Sequence, residues 1–476
     1  MKNFRGSITL LVLIFGGIFL GVLMSLSSYV LTQNRISTVT RIRAIAFNAA
    51  EAGLEYYRWH LAHFPTDLEN GTGAPGPYAI PVPDPEGGAL GTASLSIHAN
   101  TACGETTSID ITSTGTAAED ASQPQTLIAH YAQPSVAAFS YIVNNSVWAG
   151  SDRIINGPYH SNGGVRMDGT ANAPVTSSLS SWTCTSSFGC SPNATEPGVF
   201  GSGSNQGLWS YPTPQVDFAG IAADFSSLKT KAQASGLYFA RYSTGNRNSS
   251  AYHKGYHLLF NANGTVTVKR VTATTKLSNV VAVDNPTVYS NDYSVINNEA
   301  TYGTYTIPSG CGLIFVEDNT WIEGSIPAKV TVVVANITDT GVTPDAFLPG
   351  NITYASADGT DGLTLISQHD VLITANSPND MTLDGVFIAQ SGAFGRNYYG
   401  NYGCGGTYEP RNSLTILGST ISNLRTGTAW INGCGTGSNA GYQTRVDAYD
   451  RNLANDPPPF TPTTSKDYKF VDWQQE

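Results

Sequence analysis

Charge is scarce in this 476-residue sequence: Asp, Glu, Lys and Arg together make up 12 % of it. Acidic residues outnumber basic ones 35 to 24, and the net charge is -11 with an isoelectric point near 5.1. A nucleic-acid backbone needs a basic stripe, and none is present, so no nucleic-acid partner is expected. Metal-site patterns are missing as well. There is no CxxC pair and no histidine near any of the six cysteines, which removes the zinc ribbons and fingers. His253 and His257 are four apart but flank Gly255 at the mouth of a strand-like segment, so they do not form an HExxH-like pair on a helix.

Long hydrophobic runs are absent after the first forty residues, and the one that is present dominates the reading. No charge appears between Arg5 and Arg35, a run long enough to cross a bilayer of about 30 Å as a helix. No proline follows until Pro65, which supplies the stop. Past the apolar run, Val39, Ile42, Ile45, Ala46, Ala49, Ala50, Gly53, Leu54, Tyr57 and Leu61 recur at helical spacings, while Arg41, Arg43, Asn48, Glu51 and Glu55 take other angular positions. The pattern predicts one helix over 7–63, roughly 85 Å long at about 1.5 Å per residue, apolar all round at first and amphipathic afterwards. A simple anchor needs no such extension, but a subunit packing helix against helix does.

The leader MKNFRG, with Lys2 and Arg5 and with Gly6 last, runs directly into SITLLVLIF. Together they resemble the class III signal of type IV pilins and pseudopilins. AFNAAEAGLEYY, Ala46 to Tyr57, resembles the end of the PilX-type N-terminal segment of minor pilins. The resemblance covers about the first sixty residues. It implies that a prepilin peptidase cuts after Gly6 and that the new N-terminal residue, Ser7, is methylated. It implies partners too: other pilin subunits and the pilus assembly machinery. Leu11 stands at the fifth position after the cut, where major pilins carry a glutamate thought to pair with a neighbour's N-terminal amine. That departure argues against a repeating, shaft-forming role. The small face of Ala46, Ala49, Ala50 and Gly53 would let neighbouring helices approach closely in a filament.

Basic residues flank the apolar run on both sides, Lys2 and Arg5 before it and Arg35, Arg41 and Arg43 after it, so positive charge alone does not orient it. The leader resemblance implies a single-pass protein of the inner or cytoplasmic membrane with its bulk extracytoplasmic. An even number of cysteines suits an exported chain with disulfides. Cys184 and Cys190 enclose a loop short enough for a local bridge, and Cys404 and Cys434, in two glycine-rich loops, pair if those loops are neighbours. Cys103 and Cys311 remain, with no local signal for their pairing.

The rest reads as mainly β. Residues 64–91 are dense in proline and glycine and are expected to be a linker. Residues 92–133 hold alternating strands, TASLSIHA, TSIDITSTGTA and TLIAHY, as in a small pilin-like β head laid over the helix. From 134 to 446, short β-branched runs such as KVTVVVAN, GLTLISQHDVLITA and LTILGSTIS return about every 18 to 30 residues in its last part. They lack hairpin turns, which favours a large right-handed parallel β-helix-like domain over an antiparallel sandwich. An insertion at about 216–272 is expected on its side or end: a helix from Val216 to Phe239 with Asp217 as a cap, then a hairpin turning at Asn263-Gly264. Residues 447–476 resemble the tail of large pilus-associated β-helical proteins, with Tyr449, Asp450, Pro457 to Pro459 and Trp473. They read as an end cap over unpaired strand edges.

Chemistry is sparse on this scaffold. Asp358, Asp361, Asp370, Asp380 and Asp384, like Glu317 with Asp318, sit in turns where carboxylates ordinarily cap their own backbone, so no metal and no cofactor is expected. Pectate-lyase-like β-helix enzymes resemble this architecture, but they need clustered carboxylates beside a cation, for which Arg396 and Arg411 are the candidates. No enzyme activity and no catalytic residue is expected. Recognition remains. Tyr398, Tyr399, Tyr402, Tyr408 and Trp430 fall in the loops around Cys404 and Cys434, where aromatic rings would suit a surface glycan or a protein of a host or neighbouring cell. The expected function is a minor pilin-like structural or adhesive component of a type IV pilus or related filament. The alternatives are a membrane-anchored surface protein outside any filament and a polysaccharide-active enzyme.

Overall fold

The computed structural model describes residues 7–246, 249–339, 341–435 and 438–476, so Lys2, Arg5 and Gly6 of the leader lie outside the described residues. The chain divides into two compact units. One holds the described residues up to Asn100, with residues 108–132 and 469–476; the other holds residues 101–107 and 133–468.

In the first unit, helix α1 (Ser7–His63) runs unbroken for 57 residues. Residues 8–38 are exposed on every side, and this stretch is apolar and long enough to cross a membrane. From Ile42 onward one face is buried: Ile42, Ala46, Ala49, Ala50, Leu54, Tyr57 and Leu61. They lie on an antiparallel sheet of β1 (Tyr78–Pro83), β2 (Ala89–Ala102), β3 (Glu105–Ala117), β4 (Gln125–Ala132) and the C-terminal strand Lys469–Gln475, in that order. Leu54, Tyr57 and Leu61 meet Leu95, Ile109, Ile111, Leu127 and Tyr131, because the period-two pattern of the strands turns these residues to one side. Small residues set the distance between helix and sheet. A Cβ on Gly53 would fall 2.5 Å from Ser113 Oγ and one on Gly115 would fall 2.0 Å from Ala46 O, while Ser113 Oγ donates to Ala50 O at 2.7 Å.

Three expectations change here. The face of Ala46, Ala49, Ala50 and Gly53 is filled by the chain's own sheet, and the exposed face is the opposite one, with Glu51, Glu55, Arg58 and Trp59. The proline-rich stretch after the helix is not all linker: Tyr78–Pro83 pairs with β2, and its prolines are tolerated because the strand is an edge. Trp473 belongs to the first unit. It sits in the C-terminal strand beside β4 and is 56 % exposed.

The second unit is built around a 22-stranded, mostly parallel sheet wound as a β-solenoid. On its first face the strands stack in the spatial order Leu237–Phe239, Leu313–Val316, Lys329–Val334, Gly362–Ser367, 386–389, 420–422, Tyr141–Val143, Tyr159–Ser161, Val175–Ser177 and Trp209–Ser210. Sequence order and spatial order are therefore circularly shifted. The chain enters mid-stack at Tyr141, winds to one end at Trp209, returns along the flank, restarts at Leu237 and winds back to where it entered.

The return path is the segment expected as a helical insertion. It holds two helices, α2 (Phe218–Ile221) and α3 (Phe225–Ser235), separated because Asp224 caps α3 at the Ser226 and Ser227 amides, as Asp217 caps α2 at Ala219. Contacts mark its course across the rungs: Asn162 Nδ2 to Val216 O at 2.8 Å, Ala223 N to Gln390 Oε1 at 2.9 Å, and Lys229 Nζ to Glu317 Oε1 at 2.6 Å. The expected hairpin is present, with Gly255–Asn261 antiparallel to residues 265–271 across the turn at Asn263-Gly264. Its first strand is also a rung, parallel to Asn319–Ile326, and beyond it the chain leaves the solenoid as a long antiparallel ribbon of Thr265–Val281 and Tyr289–Thr306.

Alternate side chains explain why first-face strands such as Leu313–Val316 and Lys329–Val334 carry apolar residues on both sides. Ile314, Val316, Val332, Val334 and Leu365 point into the solenoid core. Phe315, Val333, Ile366, Ile388, Ile421 and Ile142 point outward and are covered by Ile221, Leu228, Ala232 and Leu453. Leu453 comes from α4 (Arg451–Asn455), which Asp450 caps, and the following segment continues along the flank through the Thr364–Thr461 hydroxyl pair at 2.6 Å. The expected end cap is thus a lateral cover up to about residue 464, because the strands it meets expose an apolar outer face that water would otherwise wet.

Candidate functional site

On the second face, Asn319–Ile326, Ala346–Leu348, Val371–Ile373 and Phe394–Gly395 stack in parallel. The register places Asn319, Asp345 and Asp370 one above another, each just at or before the start of its strand. Each side chain then serves the next rung: Asn319 Oδ1 accepts from Asp345 N at 3.0 Å, Asp345 Oδ1 from Asp370 N at 3.2 Å, and Asp370 Oδ1 from Ala393 N at 2.7 Å. The recurrence was visible in the sequence as a polar residue at spacings of 26 and 25. The sequence reading picked out Asp370 alone, as a turn cap.

The ribbon closes over this corner. A cleft of about 450 Å³ is lined from the ribbon by Lys276, Asp284, Asp292 and Tyr293 and from the rungs by Asp345, His369 and Asp370. His369 Nδ1 lies 2.8 Å from Asp345 Oδ1 and 3.4 Å from Asp370 Oδ2. Asp370 is 4 % exposed. Burial, with the charges of Asp345 and Asp284 beside it, pushes its carboxyl up to about 8, against the opposing pull of His369. Asp292 is buried but satisfied, accepting from Ser294, Asn397 Nδ2 at 2.8 Å and Tyr399 OH at 3.0 Å. At the rim, His253 and Tyr293 stack with centroids 3.6 Å apart.

The other singled-out carboxylates are occupied locally. Asp358 and Asp380 accept from Thr360 and from Ser413 and Asn412, which holds both below the usual range. Glu317 holds Lys229, Tyr238 and Thr338, while Asp318 accepts from the amides of Tyr242, Ser243 and Asn319. Arg396 and Arg411 do not face the cleft. Arg396 is fully buried against Glu409 and donates to Ala375 O and Tyr408 O; Arg411 donates to Asn379 Oδ1, Ala375 O and Thr407 O.

The glycine-rich loops are tied together by Cys404–Cys434; Cys184–Cys190 and Cys103–Cys311 are the other two disulfides. The loop aromatics are held rather than displayed. Tyr399 is 1 % exposed beneath the Arg396 guanidinium, Tyr398 OH donates to Gly433 O at 2.8 Å, and Trp430 Nε1 donates to Arg396 O at 3.0 Å. Tyr408 packs beside Tyr399, and Tyr402, 38 % exposed, is the ring of the five most open to solvent.

No family model matches this chain, and no curated protein matches it. Among solved structures, the competence-associated pilin ComZ from Thermus thermophilus is similar at 14 % identity and a TM-score of 0.33, over 91 % of this chain and 97 % of that one.

Proposed function

We propose that this chain is a minor pilin-like subunit, inserted in the membrane by α1 and carrying the β-solenoid outside the cell as a structural or adhesive element of a type IV pilus or related filament. The observation that carries the reading is the division of α1. Residues 8–38 are exposed and largely apolar, whereas the continuation of the same helix is packed on its own antiparallel sheet. A helix built this way has one half suited to lipid or to other apolar helices and one half that fixes a head to it. Three disulfides support an extracytoplasmic place for the bulk. Cleavage after Gly6, methylation of Ser7, a prepilin peptidase, and other pilin subunits as partners belong to the same proposal. Enzymatic processing of a glycan is the weaker reading, because Arg396 and Arg411 are committed to buried contacts.

Fractionation tests it. The reading expects the protein in filaments sheared from the cell surface, with an N-terminal peptide that begins at a methylated Ser7 by mass spectrometry. Retention of the whole population in the membrane with Met1 intact would replace it by the free, membrane-anchored surface protein.

A further inference from the structure

The cleft between the ribbon and the second face has a use that display does not require. Its lining contains four carboxylates, Asp284, Asp292, Asp345 and Asp370, against one lysine, Lys276, which is exposed. Asp292 is satisfied by its own hydrogen bonds, and Asp345 is engaged with His369 and with the Asp370 amide. The other two are not. Among the described residues, no hydrogen bond reaches the Asp284 carboxylate. Asp370, nine-tenths buried, has a backbone donor on Oδ1 only. Its Oδ2 faces His369 Nδ1 at 3.4 Å, and that nitrogen is closer to Asp345. A buried carboxylate oxygen held only by a 3.4 Å contact to an imidazole nitrogen that sits closer to another carboxylate is stabilised when a cation meets it.

Ligand atoms of Asp284, His369 and Asp370 all lie within 4.8 Å of one another, a spacing that lets one ion touch all three. We propose that this cleft binds a divalent first-row transition-metal ion, such as zinc or manganese, through Asp284, His369 and Asp370, with Asp345 orienting the imidazole. Imidazole beside carboxylates suits such an ion, whereas calcium takes an all-oxygen set. A carboxylate held against a ligating histidine is the usual supporting arrangement. The ion would also have a mechanical consequence. Asp284 belongs to the bend of the ribbon, and His369 and Asp370 belong to a rung, so a shared ion fastens the ribbon to the solenoid.

The test uses the full chain in detergent, freed of metal with a chelator and titrated calorimetrically with zinc chloride and, separately, with manganese and calcium chlorides. The expected result is one zinc or manganese ion per chain, with affinity lowered about tenfold or more in Asp284→Asn and in Asp370→Asn. Proteolysis within the ribbon, residues 265–306, should slow on adding zinc to the wild type but not to Asp284→Asn. Asp284 is half-exposed in a loop, so this variant keeps the test open if Asp370→Asn does not fold. Absence of zinc and manganese binding, binding of calcium alone, or unchanged affinity in a folded Asp284→Asn protein would each overturn the proposal.

Discussion

Thr420 N donates to Ser140 O at 3.0 Å, and this bond joins the last rung of the long C-terminal winding to the first rung the chain makes on entering the solenoid. Ile421 and Ile142 lie side by side in the same register, both essentially unexposed, on the outer surface that the flanking helices cover. The two windings are therefore one continuous stack, and the seam between them continues the outer hydrophobic layer of Val333, Ile366, Ile388 and Ile421 onto Ile142.

The seam can be weakened selectively. Ile142→Ala and Ile421→Ala should each lower stability by about 2–5 kcal/mol, the range for deleting most of a buried Ile. Because the residues touch, the double variant should lose less than the sum. Chemical unfolding followed by tryptophan fluorescence measures all three. Simple additivity would mean that the two windings respond as separate stacks.

The helix has one face packed on its own head and one exposed. Gly53→Val should destabilise the head by about 1–3 kcal/mol or more, since even a Cβ meets Ser113 and Ala93 at 2.5 and 2.6 Å. Trp59→Ala, at a residue 54 % exposed, should leave the melting temperature within a degree or two of wild type, as an exposed site allows only about 0.5 kcal/mol. Under the filament reading, Trp59→Ala also lowers the amount of protein recovered in sheared filaments. Unchanged recovery would place the filament contact elsewhere on α1.

Local pattern made α1 and the parallel strands legible, because both are written in consecutive residues. A helix without proline up to Pro65 and runs such as KVTVVVAN need no distant partner to be recognised. The circular shift was not legible. The strand Tyr141–Val143 and residues 420–422 look alike as isolated β pieces, and nothing local says that they pair. The ribbon was legible only at its start, in the hairpin at Asn263-Gly264; its second strand, Tyr289–Thr306, is rich in Thr, Asn and Tyr and buries little, so its pairing with Thr265–Val281 leaves only a weak hydrophobic signature. The cleft depends on the ribbon. Asp284 meets His369 and Asp370 only because the ribbon folds back over a rung corner, and no spacing along the chain expresses that approach.

Asp384 supplies a pH dependence. Burial raises its carboxyl from 3.8 to about 6, aided by the charge of Asp450. The folded chain thus holds a proton that the unfolded chain has released between about pH 4 and 6, and stability falls as pH rises through that window. Asp384→Asn removes the penalty. Its melting temperature should match that of the wild type at pH 4 and exceed it at pH 7.5. An equal offset at both values would mean that packing, not ionisation, governs the site.

Tyr399 and Tyr402 belong to the same loop but should answer differently. Tyr399 is enclosed between the Arg396 guanidinium and Asp292, so Tyr399→Ser leaves a cavity and removes one of the donors to a buried carboxylate. Losses of this kind cost about 3–5 kcal/mol, and the melting temperature should fall accordingly. Tyr402 contributes an edge contact to Tyr408 and a hydrogen bond to Ser278 O at 3.0 Å while much of its ring faces water. Tyr402→Ser should therefore cost no more than about 1 kcal/mol. If the loop is adhesive, Tyr402→Ser weakens attachment of cells to a glycan-coated surface at unchanged protein level and melting temperature. If attachment is retained in that variant and lost only in Tyr399→Ser in step with its melting temperature, the loop serves the fold and the adhesive surface lies elsewhere on the solenoid.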